Sequence, residues 1–164
     1  MKTKTIGLTL AFCLLAGPAC FATDPQKGTW KLNEGKSKIT PGTLKNTTVT
    51  YKSVFGSGKV NVSSDGIDGT GKPVHSDWTG EFDGKDYPVT GDPNSDARSY
   101  TRVNDRTLEL TVKKGGKVTV TGRIVISADG KIRTAIVSGT TPKGEVQEHR
   151  GVRQAISRPV APEG

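Results

Sequence analysis

Residues 73–82 read Pro73-Val-His-Ser-Asp-Trp-Thr-Gly-Glu-Phe82, and their order decides the fold class. In an extended chain Val74, Ser76, Trp78, Gly80 and Phe82 share one face, while His75, Asp77, Thr79 and Glu81 share the other. A period of two is the mark of a strand with one face buried and one face in water. The segment therefore predicts a strand whose Trp78/Phe82 face points inward.

The same pattern continues along the chain. Leu108, Leu110 and Val112 line one face of a later segment, and Val118, Val120, Gly122, Ile124 and Ile126 line one face of the next. Ile132 and Ile136 follow and are also predicted to face the interior. Between such segments stand turn signals: Asp65-Gly66, Asp83-Gly84, Asp129-Gly130, Gly56-Ser-Gly58, Asp68-Gly-Thr-Gly71, Asp92-Pro-Asn94, Asn104-Asp105, Gly115-Gly116 and Pro142-Lys-Gly144. Several of them supply the positive φ that a tight hairpin requires. After the N-terminal leader, no window sustains apolar residues at i, i+3, i+4 and i+7.

Ten strands are predicted, at 28–33, 44–55, 58–64, 73–82, 86–90, 97–103, 107–114, 117–127, 131–140 and 145–153. Consecutive strands on short links form antiparallel neighbours, because a parallel pair needs a long crossover. A meander of this length either closes or leaves two long unpaired edges. The expectation is an all-β, up-and-down antiparallel barrel, with a two-sheet β-sandwich as the alternative. The small residues Ser76, Gly80 and Gly122 on the inner faces mark either a tapering barrel or an open cavity.

Residues 1–22 read as a secretory signal peptide. Lys2 and Lys4 precede an apolar run over 6–16, and Cys20-Phe-Ala22 places small residues before a cleavage point after Ala22. The run is shorter than the roughly 20 apolar residues a membrane-spanning helix needs. The expected location is the periplasm or outside the cell, with lipid attachment at Cys20 as an alternative. Both cysteines, Cys13 and Cys20, lie in the leader, so the domain over 23–155 contains no disulfide or thiolate. Residues 156–164 are expected to form a flexible tail.

Beyond the leader stand 22 basic and 16 acidic residues, a net charge of +6. The two signs alternate along the chain instead of gathering into the basic stripe that nucleic-acid binding requires. Nucleic acid is therefore not an expected partner; the surplus charge leaves open a weak attraction to an anionic cell envelope. No cofactor is expected either: P-loop, Gly-x-Gly-x-x-Gly, Gly-x-Ser-x-Gly and His-Glu-x-x-His motifs are absent.

Gly28-Thr-Trp-Lys-Leu32, which opens the first strand, resembles the start of the fatty-acid-binding proteins within the calycin superfamily, which also contains the lipocalins. The chain is similar as well to small secreted bacterial proteins with the same opening and a segment like Trp78 to Gly91. The resemblance implies a barrel in which Gly28 permits close approach of the backbone and Trp30 plugs the closed end. It also implies a late basic residue, Arg150 or Arg153, stacked on that tryptophan. The helical lid of the fatty-acid-binding proteins has no counterpart, since only a short Gly- and Pro-containing link joins the first two strands.

Arg98, Tyr100 and Arg102 alternate on one strand face. If that face points inward, two guanidinium groups and a hydroxyl suit the head group of an anionic ligand, as the resemblance implies. The alternative, favoured by the rarity of buried unpaired arginine, turns Ser99, Thr101 and Val103 inward and leaves the arginines in water. With Trp78 and Phe82, these residues form the candidate ligand site. Asp92-Pro-Asn-Ser-Asp96 has the opening spacing of a calcium loop but lacks its later Gly and Glu, and reads as a turn. His75, Asp77 and Glu81 share a face that reads as solvated. No metal site or catalytic set is predicted.

The expected function is non-catalytic binding of a small apolar or amphipathic molecule. A filled-core envelope module is the second reading, and a calycin-type enzyme the third. An internal cavity of about 300 Å³ or more beside Trp78 and Phe82 would separate the first from the second.

Overall fold

The computed structural model describes residues 24–140 and 146–157, with the backbone alone for a few residues at the edges of these ranges. The predicted signal peptide, the 142–144 turn and the tail beyond residue 157 lie outside the described residues. The strands are β1 (Gly28–Leu32), β2 (Lys45–Ser53), β3 (Val60–Ile67), β4 (Pro73–Gly80), β5 (Tyr87–Thr90), β6 (Ala97–Asn104), β7 (Thr107–Lys114), β8 (Lys117–Ile126), β9 (Ile132–Thr140) and β10 (Val146–Ser157). Each pairs antiparallel with the next, and β1 pairs with both β2 and β10, so the sheet closes into a ten-stranded barrel. Closure removes the free edges that a sandwich would leave. One 3₁₀ turn, Glu34–Lys36, capped by the Asn33 side chain, interrupts the β1–β2 link.

Glycine conformations fix several reversals. Gly115 and Gly116, with φ of 56° and 76°, make the two-residue β7–β8 hairpin turn. Asp65 and Gly66 do not turn: they pair with His75 and Val74 inside the β3–β4 ladder. The reversal falls after them, where the Asp68 carboxylate accepts from the backbone N–H groups of Thr70 and Lys72. Gly66 instead lies against the β2 bulge, where a Cβ would stand 2.5 Å from the Lys45 carbonyl oxygen.

The core gathers Trp30, Val49, Tyr51, Val60, Val62, Trp78, Val89, Tyr100, Leu108, Ile124 and Ile126. The inward face of β4 is as expected, with Ser76, Trp78 and Gly80 buried and His75 and Thr79 exposed. Three predicted interior residues, Val118, Ile132 and Ile136, are misplaced. Val118 is exposed beyond a register shift next to Lys113, and Ile136 is 44% exposed. On β9 the inward residues are Arg133 and Ala135, so that strand is turned by one residue from its expected face.

The β2–β3, β4–β5, β6–β7 and β8–β9 connections share one end of the barrel with residues 24–27 and the final residues of β10. This end is called the front. The β3–β4, β5–β6 and β7–β8 connections lie at the back.

Candidate functional site

Strand β6 presents Arg98, Tyr100 and Arg102 inward and leaves Thr101 and Val103 exposed. The alternative orientation is thereby overturned: Val103 is 49% exposed, whereas Arg98 and Tyr100 are buried. Pairing decides this, because Tyr100 faces Leu110 on β7 and Arg102 faces Leu108, two residues of the inner face. A single unpaired arginine would be costly there, and the sequence supplies partners. Asp92, from the β5–β6 loop, stands 3.5 Å from Arg98, and Asp24 binds Arg102 at 2.6 Å.

Between these arginines lies a dense aromatic cluster. The Trp78 ring stacks on Phe82 at 6.3 Å and meets Tyr100 and Tyr87 edge-on at 4.8 and 5.7 Å. Its indole N–H donates to the Arg98 carbonyl oxygen at 2.8 Å. Gly80 is needed for this packing, since a Cβ there would approach the Tyr87 ring to 2.5 Å. The small residue marks close packing and not a cavity. Trp78 is consequently a core residue, and of the Trp78/Phe82 pair only Phe82 borders open space.

That space is a cleft of about 530 Å³ at the front, bordered by Phe82, Arg102, Asp24, Val60 and the β2–β3 loop. Arg102 lines it, with its guanidinium 5.0 Å from the Phe82 ring centre and bound to Asp24. Behind Phe82 come Tyr100, at 5.7 Å, and Tyr51, at 6.5 Å.

Tyr51 leads to a second group of cations. Arg133 on β9 donates to the Tyr51 hydroxyl, and its guanidinium also lies 5.0 Å from the Tyr51 ring centre. Arg153 on β10 is the direct cross-strand partner of Arg133. It donates to the Asn46 carbonyl oxygen at 3.0 Å, and Gly151 makes room for it: a Cβ at that position would stand 2.7 Å from Arg153 Nη1. Both arginines are buried, and the Nε of each has no hydrogen-bond partner. Among the described residues neither has a carboxylate within ion-pair distance. Burial, and then the neighbouring Arg133, push the Arg153 guanidinium down to about 10. Burial likewise raises the Tyr51 phenol well above its ordinary value, so it stays protonated.

At the barrel closure, Gly28 has a φ of 127° and adjoins the register shift between Thr29 and Trp30 where β1 meets β10. Trp30 is fully buried, and its indole N–H donates to the Gln26 carbonyl oxygen. Arg150 does not serve as a plug. Its side chain is exposed, and its backbone bridges Lys38. Arg153 is the buried member of the pair, and among the described residues cation–π contacts are made by Arg102 on Phe82 and Arg133 on Tyr51.

The remaining polar candidates are accounted for outside the barrel. His75 is held on the outer face by Asp65 at 2.7 Å and Asp77 at 2.8 Å. His149, four strands away around the barrel, accepts from the Thr40 backbone N–H. Asp92 accepts from Asn94 N–H and Ser95 Oγ, as a turn aspartate does. Among the described residues no group of three or more His, Cys, Asp or Glu side chains is arranged to hold a metal ion. Nor does any described helix have the length and apolarity to cross a membrane.

No protein-family model matches the chain, and no curated protein does. The site therefore rests on its own geometry. The sequence reading brought out Phe82, Arg98, Tyr100 and Arg102 but missed Tyr51 and Arg133. The signal for Arg133 was present in its neighbour: Ile124, on an inner face, pairs with Ala135, which places 133 and 135 inward together.

Proposed function

We propose that the chain is an exported, non-catalytic binding protein for an amphipathic molecule with an anionic group, held inside a lipocalin-like barrel. One observation carries the reading: Arg133 and Arg153 are paired across two strands in the interior without a counter-charge among the described residues. Two buried cations side by side are unfavourable unless an anion compensates them. A bidentate guanidinium pair with an adjacent tyrosine hydroxyl fits a carboxylate or phosphate. The front cleft provides the approach, and movement of the Phe82 ring would connect it to Tyr51. The leader over residues 1–22 supports export.

A second reading has its own support in the Trp78–Phe82 stack and the filled space at Gly80. It makes the protein a solid-core envelope module whose arginines fix the strand register. Melting with dodecanoate and with dodecanol separates the two. Dodecanoate is expected to raise the Tm and to shift Trp fluorescence, dodecanol is not, and Arg153→Met is expected to abolish the dodecanoate effect. Native mass spectrometry of protein recovered from the periplasm should then show an extractable anionic adduct. If neither amphiphile nor phosphate changes the melt and no adduct is found, the filled-core reading stands and the binding reading fails.

A further inference from the structure

The β2–β3 connection at the front presents an unusual side chain. Phe55 is 103% exposed, although the loop that carries it is internally ordered. The Val54 N–H donates to the Lys59 carbonyl oxygen at 2.9 Å, and Ser57 Oγ caps the turn on the Val54 carbonyl oxygen. Gly56 and Gly58, with φ of 71° and 69°, complete the tip and have no atoms beside them. The fold thus holds an aromatic ring in water where it contacts nothing else. A single exposed apolar residue is ordinary on a protein surface; what sets this one apart is an ordered loop that presents the whole ring beside two exposed lysines.

We infer that the Phe55 tip docks this barrel end onto an anionic lipid surface. Charge complementarity identifies the occupant. Lys52 and Lys59 flank the tip and are exposed, Lys27 borders the same cleft, and none of the three forms an ion pair among the described residues. The nearby acids are largely engaged: Asp24 binds Arg102, and Asp83 binds Lys85 at 2.9 Å. Only Glu81 stands unpaired among the acidic side chains lining the cleft.

Area argues in the same direction. One phenylalanine offers about 200 Å² of apolar surface, far below the 1,000 Å² or so of a specific protein interface. A single ring flanked by ammonium groups instead suits the boundary between head groups and acyl chains. Ile156, 59% exposed near the end of β10, adds a second apolar contact at the front. Its strand is separated from β2 only by β1. Docking in this orientation turns the cleft over Phe82 and Arg102 toward the bilayer, but the attachment does not depend on the barrel holding a ligand.

Co-sedimentation with vesicles tests this. Protein recovered from the periplasm or medium of expressing cells is expected to bind 1:1 phosphatidylglycerol/phosphatidylcholine vesicles at low salt. Release is expected at 0.5 M NaCl or so, where the Debye length falls to about 4 Å, together with little binding to pure phosphatidylcholine. Phe55→Ser should lower the partition coefficient at least tenfold without moving the Tm, because the ring packs against nothing. Lys52→Ala and Lys59→Ala should each lower it about fivefold. Phe55→Trp should gain a blue-shifted emission component on anionic vesicles only. Absence of binding overturns the inference. Binding lost with the lysines but unchanged in Phe55→Ser overturns insertion of the tip. Concentration-dependent self-association in gel filtration that Phe55→Ser abolishes would assign the tip to a second copy of the chain instead.

Discussion

Arg133 and Arg153 stand directly opposite each other across the β9–β10 pair, buried, with their Nε atoms unpartnered and no described carboxylate within reach. In antiparallel sheets, like charges at directly paired positions oppose folding. Burial makes that opposition stronger, because water no longer screens it. The barrel therefore carries a local cost at this point in exchange for a concentrated positive field.

Removing one of the two charges should relieve that cost. Arg153→Met keeps much of the side-chain volume and gives up one hydrogen bond to Asn46, worth about 1 kcal/mol net. Lost repulsion and desolvation outweigh it, so the ligand-free protein is expected to gain roughly 1–2 kcal/mol. Thermal or urea melting of protein stripped of small molecules checks this, and a lower Tm would contradict it.

Tyr51 works in the opposite sense. Its hydroxyl is an acceptor for the Arg133 guanidinium, and burial favours its protonated form. Tyr51→Phe leaves a buried cation with one partner fewer and should cost about 1–3 kcal/mol. For a domain of this size each kcal/mol lowers the Tm by roughly 3 °C. A double-mutant cycle with Arg133→Met would show coupling of at least about 1 kcal/mol if the two groups act together.

His75 supplies a pH dependence with a definite sign. Hydrogen bonds first to Asp65 and then to Asp77 raise its pKa above 6.5 in the folded protein. The folded state then holds the proton more tightly than the unfolded state. Its stabilisation is complete below pH 6.5 and fades as the pH rises through the folded-state pKa. Histidine ring resonances followed by NMR should show a midpoint above 6.5, lowered more by Asp65→Asn than by Asp77→Asn. His75→Asn should flatten the stability profile across that interval; an unchanged profile would exclude the assignment.

Gly80 tests the packing of the aromatic cluster. A methyl group there would meet the Tyr87 ring at 2.5 Å and Trp78 at 2.7 Å. Gly80→Ala is expected to cost about 1–3 kcal/mol through overpacking, with a change in near-ultraviolet circular dichroism from the displaced Trp78. Gly56→Ser, at a tip with no neighbouring atoms, controls for simple loss of glycine; its cost comes from φ alone.

The barrel was legible because its information is local and repeated. Gly115-Gly116 made the turn it suggested, and alternation over 73–82 oriented β4 correctly, whereas Asp83-Gly84 falls within the longer 81–86 connection and pairs with β6 through Thr101 and Tyr100. Strand β9 shows where that logic ends. Ile132 and Ile136 are the largest apolar residues of their segment, and hydrophobicity alone turns them inward. The observed face carries Arg133 because pairing of Ile126 with Arg133 and of Ile124 with Ala135 fixes the register. Apolar burial chose the wrong face where the interior is polar. The same reasoning made the inward orientation of Arg98 and Arg102 look unfavourable. Their partners, Asp92 and Asp24, sit in a loop and in the segment before β1, and no strand periodicity links them. Asp65-Gly66 failed for a different reason, since a bulge in β2 needs a glycine opposite it as much as a turn does.

Closure by β1 against β10 also determines when folding can finish. Those two strands are the first and last of the barrel, and their pairing spans nearly the whole described chain. Each intermediate length synthesised before β10 emerges has two open sheet margins and lacks Arg153 and Val152 inside. Such high-separation contacts slow the final step and delay commitment until the last strand arrives. A chain kept unfolded until β10 is complete would close in one event, with few partly built barrels available to pair with one another.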